Sequence, residues 1–246
     1  MSGTRPLALV TGGMRRLGAV IARQLADAGY DLALSSHVDS QPETKFGAET
    51  NWHCFAADLA DPQTPADLIG DVAAHFGRAP DLLVNNAAMF GQDDWAVMDA
   101  ASLDRHFRLN SFAPLLLSQA LVKSASQQVA IIYITDQRVA NPHPDQLSYT
   151  LSKQALAASV RTMAIAFGGK ARVNAVAPGL VIVTDDYAIG QAEQLAKLMP
   201  LNALPQPTAV ADAVLYLASA RHVTGQTLFV DGGAHLKSFE RDFIYL

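Results

Sequence analysis

The stretch Leu7-Ala8-Leu9-Val10-Thr11-Gly12-Gly13-Met14-Arg15-Arg16-Leu17-Gly18 decides how the rest of the chain is read. Leu7 to Thr11 is apolar without alternation, the pattern of a strand covered on both faces, and it stops at Gly12-Gly13. Beyond the glycines, Val20, Ile21, Leu25 and Ala28 recur at helical spacing as far as Gly29, where a helix can stop. Strand, glycine turn and helix in that order leave backbone N–H groups free at the helix start, where they can face a pyrophosphate. The six-residue interval from Gly12 to Gly18 differs from the common G-x-G-x-x-G spacing, so an ordinary glycine turn stays open on this stretch alone.

The same alternation continues downstream. Strands are expected at Asp31–Leu34, His53–Ala57, Leu82–Val84, Val129–Thr135, Arg172–Ala177 and Thr227–Val230. Helices are expected at Thr64–Phe76, from about Ser102 to Lys123, from about Ser148 to Phe167, and at Ala209–Ala218. Apolar strands separated by helices imply an α/β, doubly wound, Rossmann-type parallel sheet with helices on both faces. No linker or repeat divides the chain, so residues 1–246 read as one domain.

Composition narrows the function classes. Half of the 246 residues are hydrophobic and 17% are charged, which fills a large core and argues against disorder. The net charge is −5 and the cations are scattered apart from Arg15-Arg16, so the basic stripe of a nucleic-acid binder is missing. The apolar run Leu7–Val10 is too short for a signal peptide and no later run approaches a membrane span, so a cytoplasmic protein is expected. Cys54 is the single cysteine, which rules out an intrachain disulfide, and its apolar neighbours suggest a buried strand. The seven histidines are dispersed without metal-binding spacing.

In a doubly wound sheet, ligands bind where the chain leaves the carboxyl ends of the strands. An acidic residue after the second strand would hold the ribose hydroxyls of NAD; here the positions are Ser35-Ser36-His37, with Asp39 slightly later. Arg15, in the glycine loop, is placed to meet a 2′-phosphate, and this favours NADPH. Tyr149 and Lys153 lie four apart on an expected helix and share a face, so the ammonium can favour the ionised phenol. That makes the tyrosine a competent proton donor or acceptor. Asp136 follows a strand thirteen residues upstream. Asn110 sits inside the long expected helix, where an amide can open a hydrogen-bond gap for water.

Taken together these residues resemble the short-chain dehydrogenase/reductase family over essentially the whole chain. The matches are Thr11 to Gly18, Asp58-Leu59, Asn85-Asn86-Ala87-Ala88, Asn110, Tyr149-x-x-x-Lys153 and Pro178-Gly179. Thr224-Gly225 and Val230-Asp231-Gly232-Gly233 close the pattern. The resemblance implies that Gly12, Arg15, Arg16, Leu17, Gly18, Ser36 and His37 line the cofactor site, that Asp58 and Leu59 meet the adenine, and that Asn86 and Ala87 support the adenosine side. Tyr149 would be the acid/base, Lys153 would lower its pKa and hold the nicotinamide ribose, Asn110 would support a water relay, and Pro178-Gly179 would flank the nicotinamide.

Two departures narrow the subgroup. Most relatives carry glycine at Arg16 and serine at Asp136, and both changes resemble the pteridine reductases, including bacterial dihydromonapterin or dihydrofolate reductases of this fold. Phe90 and Val183-Thr184-Asp185-Asp186 look like the same subgroup, whereas Ala88 and Val181 stand where its protozoan members carry serines. The resemblance implies a substrate site of Arg16, Phe90, Asp136, Tyr149 and Leu180, with Phe90 stacking a flat pterin. It implies hydride transfer from NADPH to a ring C=N carbon, C6 of a 7,8-dihydropterin, with a proton to N5 through water; for the oxidised ring, Asp136 and Tyr149 supply the proton. It also implies a homo-oligomer, a tetramer before a dimer, and the apolar tail Ser238–Leu246 suggests a subunit contact. The alternatives are a reductase of 3-oxoacyl thioesters or small ketones, against which Asp136 would repel a developing alkoxide, and a dinucleotide-binding regulator without turnover.

Overall fold

The computed structural model describes residues 4–37 and 42–246, so Asp39 lies outside the described residues. The seven strands are β1 Leu7–Thr11, β2 Asp31–Ser36, β3 Trp52–Ala56, β4 Leu82–Asn85, β5 Val129–Ile134, β6 Ala171–Pro178 and β7 Thr227–Val230. The helices are α1 Arg16–Asp27, α2 Thr64–Phe76, α3 Ala100–Phe107, α4 Ala113–Ser124, α5 Leu147–Phe167, α6 Gln191–Leu198 and α7 Pro207–Ser219. The sheet order is β3-β2-β1-β4-β5-β6-β7 and every pairing is parallel. This is the doubly wound fold that the apolar, non-alternating strands predict.

Strand pleating sends successive side chains to opposite faces, so each central strand feeds two cores. Leu7 and Leu9 join Leu83, Ile131, Tyr133 and Val173 against α2, α4 and α5. Ala8 and Val10 join Leu34, Val84, Ile132 and Val176 against α1 and α7. Both sets are buried, which explains why no polar residue alternates through β1, β4 or β5.

The chain runs from β1 outward through β2 to β3, then returns to start β4 on the other side of β1. The crevice between the carboxyl ends of β1 and β4 is the switch point at which such sheets bind ligands. Here Thr11 Oγ1 accepts from the backbone N–H groups of Asn86 at 2.9 Å and Ala87 at 3.0 Å, and Asn86 Nδ2 donates to the Thr11 carbonyl at 2.9 Å. Two strand ends are thereby held at fixed separation.

Three expectations are corrected. The long helix from Ser102 to Lys123 is two helices joined by a π-helical turn, Arg108–Phe112. Cys54 is half-buried rather than buried, because β3 pairs only with β2 and its Trp52 and His53 are exposed. The tail is apolar surface only in part: Phe243 is buried with Leu195, Met199 and Ala234, and Phe239 packs on the same cluster, whereas Tyr245 and Leu246 stay exposed. No helix among the described residues is long and apolar enough to cross a membrane.

Candidate active site

The glycine turn is built as the sequence requires. Gly12 holds φ +61°, a region that strains an L side chain, and a Cβ on Gly18 would overlap the Gly12 carbonyl oxygen and stand 2.7 Å from Asn86 Nδ2. The loop and the start of α1 therefore pack closely on each other and on Asn86. Arg16 also holds a positive φ of +51°. An L residue in that region costs roughly 1–2 kcal/mol, and such strain collects at functional sites. The turn is braced by Glu43, whose N–H donates to the Met14 carbonyl at 2.9 Å and whose carboxylate accepts from the Arg16 N–H at 2.7 Å.

A cleft of about 620 Å³ opens at the switch point. Its walls are the glycine loop with Gly12 and Arg15 to Gly18, the end of β2 with Ser36 and His37, and Asp58-Leu59 after β3. Asn86 to Phe90, after β4, form the opposite wall, and Ile182 and Thr184 reach it from the segment after β6. Every expected cofactor residue before Ala87 thus lines one cleft. Asp58 accepts from the Ala60 N–H at 3.0 Å, and His37 Nδ1 stands 3.7 Å from its carboxylate, so the residues after β2 and β3 meet at this rim of the cleft. Pro178 and Gly179 lie outside that lining, at the end of β6, where a Cβ on Gly179 would stand 2.8 Å from Asp231 Cβ. Leu180 packs on the Leu195 and Met199 cluster beneath the tail.

The chemistry-bearing residues gather at the end of β5 and the first turns of α5. Tyr149 Oη donates to Asp136 Oδ2 at 2.8 Å. Burial pushes the phenol pKa well above 10 and the Asp136 carboxylate adds to the rise, while the Arg138 guanidinium pulls it down. Lys153 Nζ donates to the Ile134 carbonyl at 2.7 Å and lies 5.9 Å from the Tyr149 ring centroid. Its own pKa falls to about 8, because burial disfavours the ammonium more than Asp136 restores it. The expected lowering of the tyrosine pKa is reversed in this arrangement, since desolvation and the Asp136 carboxylate outweigh Arg138. Lys153 keeps two further N–H donors beyond the one spent on Ile134.

Asn110 is fully buried in the π-helical turn. Its Oδ1 accepts from the Met89 N–H at 2.9 Å, and its Nδ2 donates to the Met89 carbonyl and to Ser152 Oγ, each at 3.0 Å. The amide therefore clamps the backbone beside Phe90. The Phe90 ring meets the Tyr149 ring edge-on at 4.8 Å between centroids, is 52% exposed and lines the cleft. Phe90 thereby joins the cleft to the Asp136–Tyr149 pair.

Arg138 is the residue that sequence reasoning missed. Its backbone N–H and its Nε both donate to Asp136 Oδ1, at 2.9 and 3.3 Å, leaving Oδ2 for Tyr149. Nη1 donates to Gln146 at 3.1 Å and Nη2 to the tail carboxylate Asp242 at 2.8 Å. The guanidinium carbon lies 5.1 Å from the Tyr149 ring centroid and 5.6 Å from that of Phe90. An arginine two residues past a strand gives no periodic signal; the available hint was a charged residue beside a candidate catalytic acid.

With this geometry in place, the comparisons become informative. A family model described as enoyl-(acyl carrier protein) reductase matches residues 13–235, and the chain belongs to the short-chain dehydrogenase/reductase family. It is an oxidoreductase of that family. Pteridine reductase 1 of Leishmania tarentolae is 30% identical, over 96% of this chain and 98% of its own. The 3-oxoacyl-[acyl-carrier-protein] reductase FabG of Staphylococcus aureus is 29% identical, over 93% and 98%. Among solved structures, FolM alternative dihydrofolate reductase 1 from Brucella canis, complexed with NADP, superimposes with a TM-score of 0.83 at 32% identity, covering 96% of each chain.

Proposed function

We propose that this protein is an NADPH-dependent reductase of a pterin: a dihydropteridine such as dihydrobiopterin or dihydromonapterin, or dihydrofolate. The observation that carries the substrate reading is the Tyr149 hydroxyl donating to the Asp136 carboxylate at 2.8 Å. A serine at that place would offer a neutral hydroxyl to a ketone oxygen; a carboxylate would repel the alkoxide that forms there. A pterin ring presents N–H donors and protonatable nitrogens, which a carboxylate can accept from or supply.

The cleft fits the dinucleotide. The close packing of α1 on the glycine loop, which leaves no room for a Cβ on Gly18, supports this reading, because the free N–H groups of the helix start would then face the pyrophosphate. Arg15 and His37 at the rim, with Ser36 in place of an acid, suit a 2′-phosphate. Asp58 and Leu59 would border the adenine, Asn86 and Ala87 the adenosine, and Pro178-Gly179 the nicotinamide. Lys153 would hold the nicotinamide ribose through its two remaining N–H groups. Bound NADPH supplies the hydride.

The chain's own residues handle orientation and protons. Phe90 presents an exposed aromatic ring, on which a flat ring is stacked, and Asn110 fixes the backbone that carries it. Arg16 reaches the same cleft and offers a planar donor fork to ring acceptors and cofactor phosphates together. Tyr149 keeps its proton at working pH, with Asp136 holding the phenol by Oδ2; the pair, which titrates together, supplies the proton directly to an oxidised ring and through water to N5 of a 7,8-dihydropterin. A homo-oligomer, a tetramer before a dimer, completes the reading, supported by exposed Phe112 and Leu116 on one helical stretch and Leu151 on α5. Sedimentation showing a monomer at micromolar concentration would remove that part.

The test of the substrate is a paired assay on the purified protein. NADPH oxidation is followed with dihydrobiopterin, dihydromonapterin or dihydrofolate, and separately with an acetoacetyl thioester. Turnover of a pterin supports the proposal. Turnover of the thioester alone replaces it with the carbonyl reductase, a reading that the similarity to FabG supports.

A further inference from the structure

The Asp136 carboxylate has two oxygens with separate duties, and Arg138 commits one of them. Oδ1 is taken by the Arg138 backbone N–H and Nε, which turns Oδ2 toward Tyr149. Arg138 could not do this alone, because a flexible side chain with free donors would lose rotamer entropy for one weak bond at 3.3 Å. Its other two nitrogens are fixed by residues far apart in the chain. Gln146, at the start of α5, takes Nη1 at 3.1 Å, and Asp242 in the tail takes Nη2 at 2.8 Å.

Asp242 is itself buried and held on several sides. Its N–H donates to Asp145 Oδ2 at 2.8 Å, its Oδ1 accepts from the Ile244 N–H at 3.1 Å, and His143 Nε2 stands 3.5 Å from its Oδ2. Arg241 closes the arrangement by pairing with Asp145 at 2.8 Å. Gln191 on α6 ties down the chain beyond, donating to the carbonyls of Phe243 at 3.0 Å and Leu246 at 3.0 Å. The tail is thus anchored to the loop before α5 and to α6, and it reaches the proton-handling pair through Arg138.

We propose that Arg138 is a positioning residue for the Asp136–Tyr149 pair, and that the tail, through Asp242, fixes Arg138 in the orientation that aims Asp136 Oδ2 at the phenol. The proposal rests on the reading of that pair as the proton-handling group, and only its substrate-independent part: Tyr149 serves a pterin or a ketone. Arg138 is buried, with its guanidinium committed to Asp136, Gln146 and Asp242, so it acts on kcat by geometry. Misplacing a reacting group by about 1 Å costs on the order of 100-fold.

The experiment compares Arg138→Gln, Arg138→Lys and Asp242→Asn with the unmodified full-length protein. Activity is read with dihydrobiopterin and with the acetoacetyl thioester, so a wrong substrate shows as wild-type inactivity with one of them, while the variants are judged on the other. Arg138→Gln should lower kcat roughly 100-fold with the KM for NADPH within about 2-fold, and Arg138→Lys should regain about ten-fold of the loss. Asp242→Asn, which leaves the arginine in place, should lower kcat roughly ten-fold. Crystal structures of the variants read the positioning without turnover: Tyr149 Oη to Asp136 Oδ2 should open beyond about 3.5 Å, past hydrogen-bond range. An unmoved pair, wild-type kcat in Arg138→Gln, or equal kcat in the glutamine and lysine variants would overturn the proposal. Should Arg138→Gln fail to fold, Asp242→Asn decides, and wild-type kcat with the pair unmoved overturns it.

Discussion

Tyr149 Oη donates to Asp136 Oδ2 at 2.8 Å, across the gap between the start of α5 and the end of β5. Burial and that carboxylate hold the proton on the phenol, with the pKa well above 10. On the proposed reading the pair is a proton donor, and its carboxylate is what sets a pterin reductase apart from a ketone reductase.

Removing either partner should disable the donor without emptying the cleft. Tyr149→Phe and Asp136→Ala are each expected to lower kcat by roughly 100- to 10,000-fold, the range for a positioned general acid, while NADPH affinity stays within about 2-fold. The double variant should lose little more than the worse single one, because the two act as a unit. Steady-state kinetics with fluorescence titration of NADPH checks this; a fully active Asp136→Ala enzyme would make the aspartate incidental.

Lys153 carries a pH dependence whose sign follows from its burial. Its pKa lies at about 8, below the usual 10.5 of a lysine, so the ammonium is present below that pH and lost above it. NADPH affinity should be level up to about pH 8 and fall as pH rises further, and Lys153→Met should abolish the dependence. Asp136 raises the lysine pKa, so Asp136→Asn should move the fall to lower pH. A fall that persists in Lys153→Met would assign it to another group.

Two substitutions separate backbone from side chain in the glycine turn. Gly18→Ala places a Cβ against the Gly12 carbonyl and 2.7 Å from Asn86 Nδ2, so it should lower both the unfolding midpoint and NADPH affinity. Arg16→Gly removes a side chain from a positive φ of +51°, so thermal unfolding should shift little or upward, while KM for pterin and NADPH rises. Loss of stability with unchanged KM would show that Arg16 serves the fold alone.

The sequence made the sheet legible because β1, β4 and β5 are buried on both faces and end at glycine, asparagine or a polar pair. The glycine turn, Asn86, Phe90 and the helical spacing of Tyr149 and Lys153 are local patterns, and the structure brings them together at one end of the sheet. What escaped were features set by sheet position or distant contact. Burial of Cys54 depends on β3 lying at the edge, which no window around the cysteine encodes. Arg138 owes its place to Asp242, 104 residues away, and no local pattern separates Phe243, which packs on α6, from the exposed Tyr245 and Leu246 beside it. The π-helical turn was half visible, since Asn110 marks a weak point in a helix without saying how the ladder reopens.

The most direct test of the central claim is the ratio of kcat/KM for dihydrobiopterin to that for an acetoacetyl thioester, measured in the wild type and in Asp136→Ser. A carboxylate that selects a nitrogen-rich ring over a ketone predicts a ratio well above one in the wild type and a fall of roughly 100-fold or more on replacing it with serine. A wild type that turns over only the thioester, or a ratio unchanged in Asp136→Ser, would contradict the account.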